Sequence, residues 1–211
     1  MFYGVYVLEC SSEGRMNVSP NRWEFLLQSL RDLDNSLVQF GSRLFVIKGR
    51  PVDILPSLFK EWDITRLSFE PDCEPDCKAR DMVITNLAQQ AGIEVINRVS
   101  HTLYDPETLL MSAGGRVPLQ IDAFKELVLL QGRPEMPVAT VDRKQFGSCT
   151  TPVGEDHNKR FGVPTLEEIV LHKPLTVSSR FYGGGEREAL LRLEKALQQV
   201  NGLAYCLERN T

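Results

Sequence analysis

The 211-residue chain has little of what marks several common functional classes. No apolar run approaches the ~20 residues needed to span a bilayer, which excludes a transmembrane helix. Positive charge is not in excess: 24 Lys and Arg against 28 Asp and Glu leave a net charge of −4. That argues against holding duplex DNA through the overall field, while a local basic groove stays open. The N-terminal string MFYGVYVLEC has no positive n-region and reaches Glu9 too early for a signal peptide. Five cysteines (Cys10, Cys73, Cys77, Cys149 and Cys206) are an odd number without zinc-type spacing, which fits a reducing compartment. No G-x-G-x-x-G follows the first strand, so a classical dinucleotide site lacks support. No G-x-S-x-G elbow is present to suggest a hydrolase nucleophile.

What is present is ordinary globular usage, with 42% hydrophobic and 25% charged residues, which excludes wholesale disorder. The expectation is a soluble intracellular chain with room for one sizeable α/β domain or a domain with a short extension. Gly4–Leu8 is a β-branched and aromatic run of the kind buried in parallel sheets. From Asn21 the period changes, and Trp23, Leu26, Leu27, Leu30, Leu33 and Leu37 fall at helical spacings. Arg22, Glu24, Gln28, Asp32 and Asp34 fill the other face, Pro20 suits the first turn and Gly41 is placed to stop the helix. Further strands are expected at Arg43–Ile47, Thr65–Phe69 and Ile93–Val99. A helix over about Pro51–Trp62 separates the second and third strands. Another opens at Glu74-Pro75, with Ala79, Met82, Val83, Leu87 and Ala91 on its apolar side. This strand–helix alternation means βαβ units and a parallel sheet. Residues 100–118 read as irregular, a short helix follows over about Ile121–Leu130, and 131–182 read as a long, mostly irregular connector. A last amphipathic helix begins near Gly185-Glu186, with Ala189, Leu190, Leu193, Ala196, Leu197 and Val200 on its apolar stripe.

Candidate chemistry concentrates after the third strand. Cys73-Glu-Pro-Asp-Cys77 lies where α/β sheets gather ligands, at a strand's carboxyl end and the start of a helix. His101 alone lies near it and there is no second cysteine pair, so a metal is not supported. Asp72, Glu74 and Asp76 suit the helix N-terminus as capping and dipole partners. Gly183-Gly-Gly-Glu-Arg187 lacks the lysine and hydroxyl of a phosphate loop and reads as a flexible hinge. His101, His157 and His172 lie in expected loops; Ser100-His101 reads as satisfying loop backbone groups rather than as catalytic. Trp23 reads as a core aromatic rather than an electron relay.

Particular strings go further. Pro20-Asn-Arg-Trp-Glu-Phe-Leu-Leu27, Asp32-Leu-Asp34, Ser42-Arg-Leu-Phe-Val-Ile47, Leu58-Phe-Lys-Glu-Trp62 and Ile64-Thr65 resemble the N-terminal domain of animal cryptochromes and (6-4) photolyases. So do Glu74-Pro75, Lys78-Ala-Arg-Asp81, Val99-Ser-His-Thr-Leu-Tyr104, Cys149-Thr-Thr-Pro152, Asp156-His157 and Gly162-Val-Pro-Thr-Leu-Glu-Glu168. Gly184-Gly-Glu186 with Ala189-Leu190 and Arg192-Leu-Glu194 resembles the family's linker into its helical domain. The similarity is collinear over nearly the whole chain.

The resemblance implies an α/β, Rossmann-like or flavodoxin-like domain with a five-stranded parallel sheet and flanking helices. It implies an α/β domain over residues 1–130, a connector over 131–182 and, over 183–211, the start of a linker helix towards a helical FAD-binding domain. Met1 stands just before what resembles the family's second strand, so a first strand and helix are expected to be missing, with a neighbouring sheet edge uncovered. In photolyases this domain holds a folate or deazaflavin antenna. In vertebrate-type cryptochromes the same pocket receives a PAS domain of the clock activator. Carried over, Glu74, Asp76, Cys77, Arg80 and Asp81 line that antenna or partner pocket, and Ser42 matches a phosphorylation site in some cryptochromes. Asp76 stands where close relatives have an aromatic, and Gln120-Ile121 replaces a Thr-Tyr pair.

The leading expectation is a nuclear and cytoplasmic circadian or blue-light regulator that acts by binding clock proteins, PAS-domain activators and period-type proteins among them. One alternative is the antenna domain of a (6-4) DNA photolyase, with DNA binding and repair confined to full-length relatives. Another is an inactive truncated product. FAD contacts are expected outside this chain, which by itself is expected to carry no photorepair activity; no catalytic residue and no metal is assigned.

Overall fold

The computed structural model describes residues 1–9, 19–147, 149–169 and 182–199. They fall into two compact units, one of residues 1–49 with 141–211 and the other of residues 50–140.

In the first unit, β1 (Gly4–Leu8), α1 (Pro20–Gln39) and β2 (Leu44–Lys48) form a βαβ step. β1 and β2 pair in parallel, Gly4 opposite Leu44 and Leu8 opposite Lys48. The Ser19 hydroxyl accepts from the Arg22 N–H at 3.4 Å and Pro20 occupies the first turn, so α1 starts as the sequence implies. Gly41 follows its end at φ 76°, a left-handed conformation open to glycine. Leu8, Leu30, Leu44 and Val46 are buried together, with Trp23, Leu26 and Leu37 packed on them. Trp23 is thus a core aromatic. Leu33, expected on that face, is exposed, and Asp32, expected on the solvent face, is buried.

The connector is more ordered than its composition suggests. Arg143–Phe146 (α6) is started by a capping box between Asp142 and Gln145. His157–Phe161 (α7) packs on β2, and Leu166–Ile169 (α8) packs on α1. The last helix, α9 (Glu186–Gln199), docks by its N-terminus on α1. Its approach is a close-fitting turn, not the expected flexible hinge. The Gly184 N–H donates to Gln28 Oε1 at 2.9 Å. A Cβ on Gly184 would lie 2.1 Å from the Phe25 carbonyl oxygen, and one on Gly185, at φ 111°, would lie 2.8 Å from Asp32 Cβ. Glycine is needed at 184 because the Phe25 backbone fills the space of a Cβ, and at 185 because of the left-handed φ and the Asp32 side chain. The apolar stripe of α9 is present but exposed at Leu190, Leu193 and Leu197; Val200 lies outside the described residues.

In the second unit, α2 (Pro51–Glu61) precedes a second βαβ step, β3 (Arg66–Phe69), α3 (Pro75–Gln90) and β4 (Glu94–Asn97). β3 and β4 pair in parallel, Arg66 opposite Glu94. Phe59, Ala88 and Ile93 form the core with Leu55, Ile64, Leu67 and Val95. Helices α4 (Pro106–Ser112) and α5 (Ile121–Leu130) follow; α4 starts where an irregular segment was expected, with Asp105 capping Glu107. On α3 the buried stripe is Asp81, Ile84 and Ala88, whereas Met82 and Val83, expected inside, are exposed. The expected stripe fails because it leaves out a buried carboxylate, which reads as a surface residue. Among the described residues the strands form two two-stranded parallel sheets instead of the single five-stranded one the resemblance implies. Each sheet pairs the two strands flanking one helix.

Asp34 ties α1 to β2. It accepts from Arg43 Nε and Nη2, both at 2.9 Å, and from the Leu44 N–H at 2.8 Å. Asp34→Ala leaves a half-buried guanidinium and a strand N–H without this acceptor and is expected to lower unfolding stability by about 2 kcal/mol, read as a lower denaturant midpoint. Gly184→Ala is expected to cost about 1–3 kcal/mol through overpacking, with the α9 amides losing exchange protection before those of β1 and β2.

Candidate functional site

The carried-over pocket residues lie together on the first two turns of α3, after the carboxyl end of β3. Pro75 fixes the first turn, and Glu74 is the N-cap by backbone position but makes no side-chain capping bond. Asp72 instead closes a turn just before the helix, its Oδ1 accepting the Glu74 N–H at 3.0 Å. That bond is the main reason the Asp72 carboxyl lies below its ordinary pKa. Asp76 stands in the first turn, where the helix dipole favours its charge.

Asp81 is the hinge of the cluster. It is 8% exposed, its Oδ2 accepts the Asp72 N–H at 3.1 Å, and its Oδ1 accepts from Arg80 Nε and Nη2 at 3.1 and 3.0 Å. A buried carboxylate is tolerated when its oxygens are paired in this way. Arg80 is thus oriented by its neighbour while its side chain stays 34% exposed. Burial pushes the Cys77 thiol above its ordinary pKa, and its hydrogen bond to Asp72 adds to this. Cys77 is consequently a protonated thiol at neutral pH, poorly suited as a nucleophile or metal ligand. Lys78, exposed one residue on, pairs with Glu107 of α4 at 2.9 Å, which raises its pKa. Glu74, Asp76, Cys77, Arg80 and Asp81 are brought together as a charged ridge; Ser42 is not part of it.

Ser42 is 2% exposed in the first unit, and its hydroxyl shares a 2.6 Å hydrogen bond with the Thr151 hydroxyl. Thr151 in turn donates to the Phe2 carbonyl at 2.9 Å. Access for a kinase requires this contact to open. Among the described residues no group of three or more His, Cys, Asp and Glu side chains is placed to hold a metal ion. No described helix is long and apolar enough to cross a membrane. Cys73, Cys77 and Cys149 are free thiols, while Cys10, Cys206 and His172 lie outside the described residues.

Glu70, at the end of β3, is a participant the sequence does not flag. It accepts the Ser100 N–H at 2.5 Å, the His101 N–H at 2.7 Å and a 2.7 Å bond from His101 Nδ1. These donors, His101 foremost, hold the Glu70 carboxyl at a pKa of about 2. Glu70 thus satisfies the backbone N–H groups of Ser100 and His101 and fastens the loop after β4 to the end of β3; the His101 ring bonds this carboxylate rather than the loop backbone group expected of it. The signal available in sequence is an acidic residue directly after a strand facing a Ser-His pair directly after the next.

A carboxylate whose folded pKa is depressed stabilises the fold fully above its ordinary value of 4.5 and loses that contribution as pH falls towards about 2. Amide exchange at Ser100 and His101, corrected for its intrinsic pH dependence, is expected to accelerate over that interval. In Glu70→Gln it is expected to be fast throughout and to lose that acid dependence.

Comparison with known proteins gives a consistent set of similarities. A family model described as DNA photolyase matches residues 1–141. The chain is 49% identical over 195 residues to Cryptochrome-1 of Rattus norvegicus, covering 92% of this chain and 33% of that protein. It is 42% identical over 195 residues to Cryptochrome-2 of Gallus gallus, with the same two coverages of 92% and 33%. Among solved structures, a Synechocystis cryptochrome superposes with a TM-score of 0.70 at 19% identity, over 92% of this chain and 40% of that one. An archaeal photolyase from Sulfolobus tokodaii, solved with two FAD molecules, superposes at 0.65 and 19% identity, over 90% of this chain and 39% of that one. The chain spans about a third of the length of the curated relatives it matches.

Proposed function

This chain belongs to the DNA photolyase family, and from that premise we propose that it is a cryptochrome-type binding module whose α3 ridge docks a partner protein. The observation that carries this reading is Arg80, held by Asp81 in one orientation and still 34% exposed. A guanidinium already held in place loses little further side-chain freedom on meeting an acidic partner surface. Asp76 and Lys78 flank it with both signs of charge, which suits a partner face of complementary pattern and favours specificity over raw affinity. In this reading the partners are circadian proteins, PAS-domain transcription activators and period-type proteins, met in the nucleus and cytoplasm.

The same residues suit a pigment less well. Glu74, Asp76, Cys77, Arg80 and Asp81 include no aromatic or large aliphatic side chain. A folate or deazaflavin ring wants apolar walls around a few polar contacts, so no antenna role is assigned to them. The proposal takes residues 1–130 as the α/β domain, 131–182 as a connector, and 183–211 as the start of a linker towards a flavin-binding helical domain. Phosphorylation at Ser42 belongs to the same proposal. A phosphate adds a charge of about −2 and has no hydroxyl proton to donate to Thr151; it would instead accept from the Thr151 hydroxyl and draw it away from the Phe2 carbonyl.

A pull-down of the chain by a PAS-domain clock activator tests the docking. Arg80→Ala is expected to weaken capture about tenfold, equivalent to ~1.4 kcal/mol, read on variant protein shown to be folded, because the change also strips a partner from the buried Asp81 carboxylate. Capture that is absent in the parent chain, or equal in the variant, overturns the reading.

A further inference from the structure

His157 is only 3% exposed, and its Nε2 lies 3.1 Å from the Leu44 carbonyl oxygen. A carbonyl can only accept, so the proton sits on Nε2 and the other ring nitrogen, Nδ1, carries a lone pair. Nδ1 is buried and has no hydrogen-bond partner among the described residues. The ring stands edge-on to Phe45 at 4.7 Å between centroids and lies 5.8 Å from Phe161, which itself packs on Phe45 at 5.1 Å. Apolar rings around an unpartnered nitrogen make a setting that accepts neutral imidazole and disfavours imidazolium.

We propose that His157 is a proton-operated latch, which holds α7 against β2 when neutral and releases it when protonated. Protonation would place a new N–H and a full charge at Nδ1, where no acceptor among the described residues waits. The charged groups facing the ring from each packed element bear this out. Arg43, at the start of β2, opposes a second positive charge, and Arg160 of α7 lies over the Phe161 ring at 4.8 Å. Asp34 of α1 and Asp156 before α7 favour the charge, but Asp34 is committed to Arg43 and the Leu44 N–H. Burial is the largest influence and sets the balance, with the His157 pKa below its ordinary value.

The sign follows from linkage. Because the docked state favours the neutral ring, docking is undisturbed above the ordinary histidine value near ~6.5. Below it, the undocked state takes up the proton first, and release grows by up to about tenfold per pH unit until the docked ring titrates too. Release carries a defined consequence, because α7 also supplies Asn158, whose side-chain oxygen accepts from Arg43 at 2.6 Å. Undocking would therefore uncover the Phe45 ring and loosen the guanidinium that pins β2 to α1. The latch lies wholly in the first unit and does not depend on the α3 ridge.

Amide exchange of residues 157–161, corrected for intrinsic rates, tests it between pH 7.5 and 5.5 in the full chain. Protection in the parent is expected to fall by up to about tenfold per pH unit below ~6.5. In His157→Gln, whose amide nitrogen can still donate to Leu44 and does not titrate, protection is expected to be independent of pH. If the variant does not fold, nitrogen-15 NMR of the parent's His157 ring decides alone. A proton on Nε2 and a titration below the ordinary value support the latch. A proton on Nδ1, a titration at or above that value, or the same acid-dependent loss in a folded variant overturns it.

Discussion

The first unit depends on how the backbone of Leu44 is satisfied. Leu44 opens β2 and is buried, so neither its N–H nor its carbonyl can rely on water. The N–H goes to Asp34 of α1 and the carbonyl to His157 of α7, at 2.8 and 3.1 Å. One residue thereby takes a helix on each side of it, and each helix supplies a side chain with charge or latent charge. Asp34 remains ionised because the Arg43 and Leu44 donors outweigh the burial that pushes its pKa up. Arg43 closes the ring by reaching Asn158. Removing any member would leave a buried polar group uncompensated, a larger penalty than the worth of a single bond.

The Asp32-Leu-Asp34 string shows how a short spacing serves two docking events. Residues two apart on a helix point about 200° from one another. Asp34 turns to β2, while Asp32 turns to the N-terminus of α9, where it accepts from the Arg187 N–H at 3.2 Å and from Arg187 Nε at 2.5 Å. The Arg187 side chain is the main reason the Asp32 carboxyl sits below its ordinary pKa. A carboxylate supplied from another helix thus does for α9 what an N-cap residue normally does, and it also meets the positive end of the helix dipole. The glycines before α9 follow from this, since Asp32 and the Phe25 carbonyl occupy the space a Cβ would need.

Much of the architecture is legible from periodicity. The strand runs at Gly4–Leu8, Leu44–Lys48, Arg66–Phe69 and Glu94–Asn97 carry the apolar signal that identifies them, and α1 shows its caps as well as its stripe. The site is legible only in part. Its position after β3 follows from the general rule for parallel α/β units. Its internal order does not, because that order rests on Asp81, a buried carboxylate within a stripe that hydrophobicity alone assigns to Met82 and Val83. Buried polar residues break patterns built on transfer free energy, and their partners are far off in sequence or recruited from the backbone. The same holds for His157, whose partners Leu44 and Phe45 lie more than a hundred residues away. The short helices α6 and α8 are a different case. The Asp142/Gln145 and Thr165/Glu168 capping boxes announce both locally, and the high content of Pro, Gly and charge around them masks that signal.

The balance between binding and chemistry turns on what each polar group is already doing. His101 has an acidic partner in Glu70, as a catalytic base would, but the same Glu70 oxygen also takes two backbone N–H groups. That arrangement fits a loop fastener, because an orienting carboxylate in a dyad holds the ring towards a reacting atom, whereas this one holds the chain. Cys77 lies close to a helix N-terminus, a setting that normally acidifies a thiol, yet burial and Asp72 drive it the other way. Asp81 is occupied by Arg80 and the Asp72 N–H. Glu70, His101, Cys77 and Asp81 are thus each committed to a structural bond or held in an unreactive form. The Arg80 side chain, held by Asp81 and 34% exposed, is the feature on which the proposed docking rests.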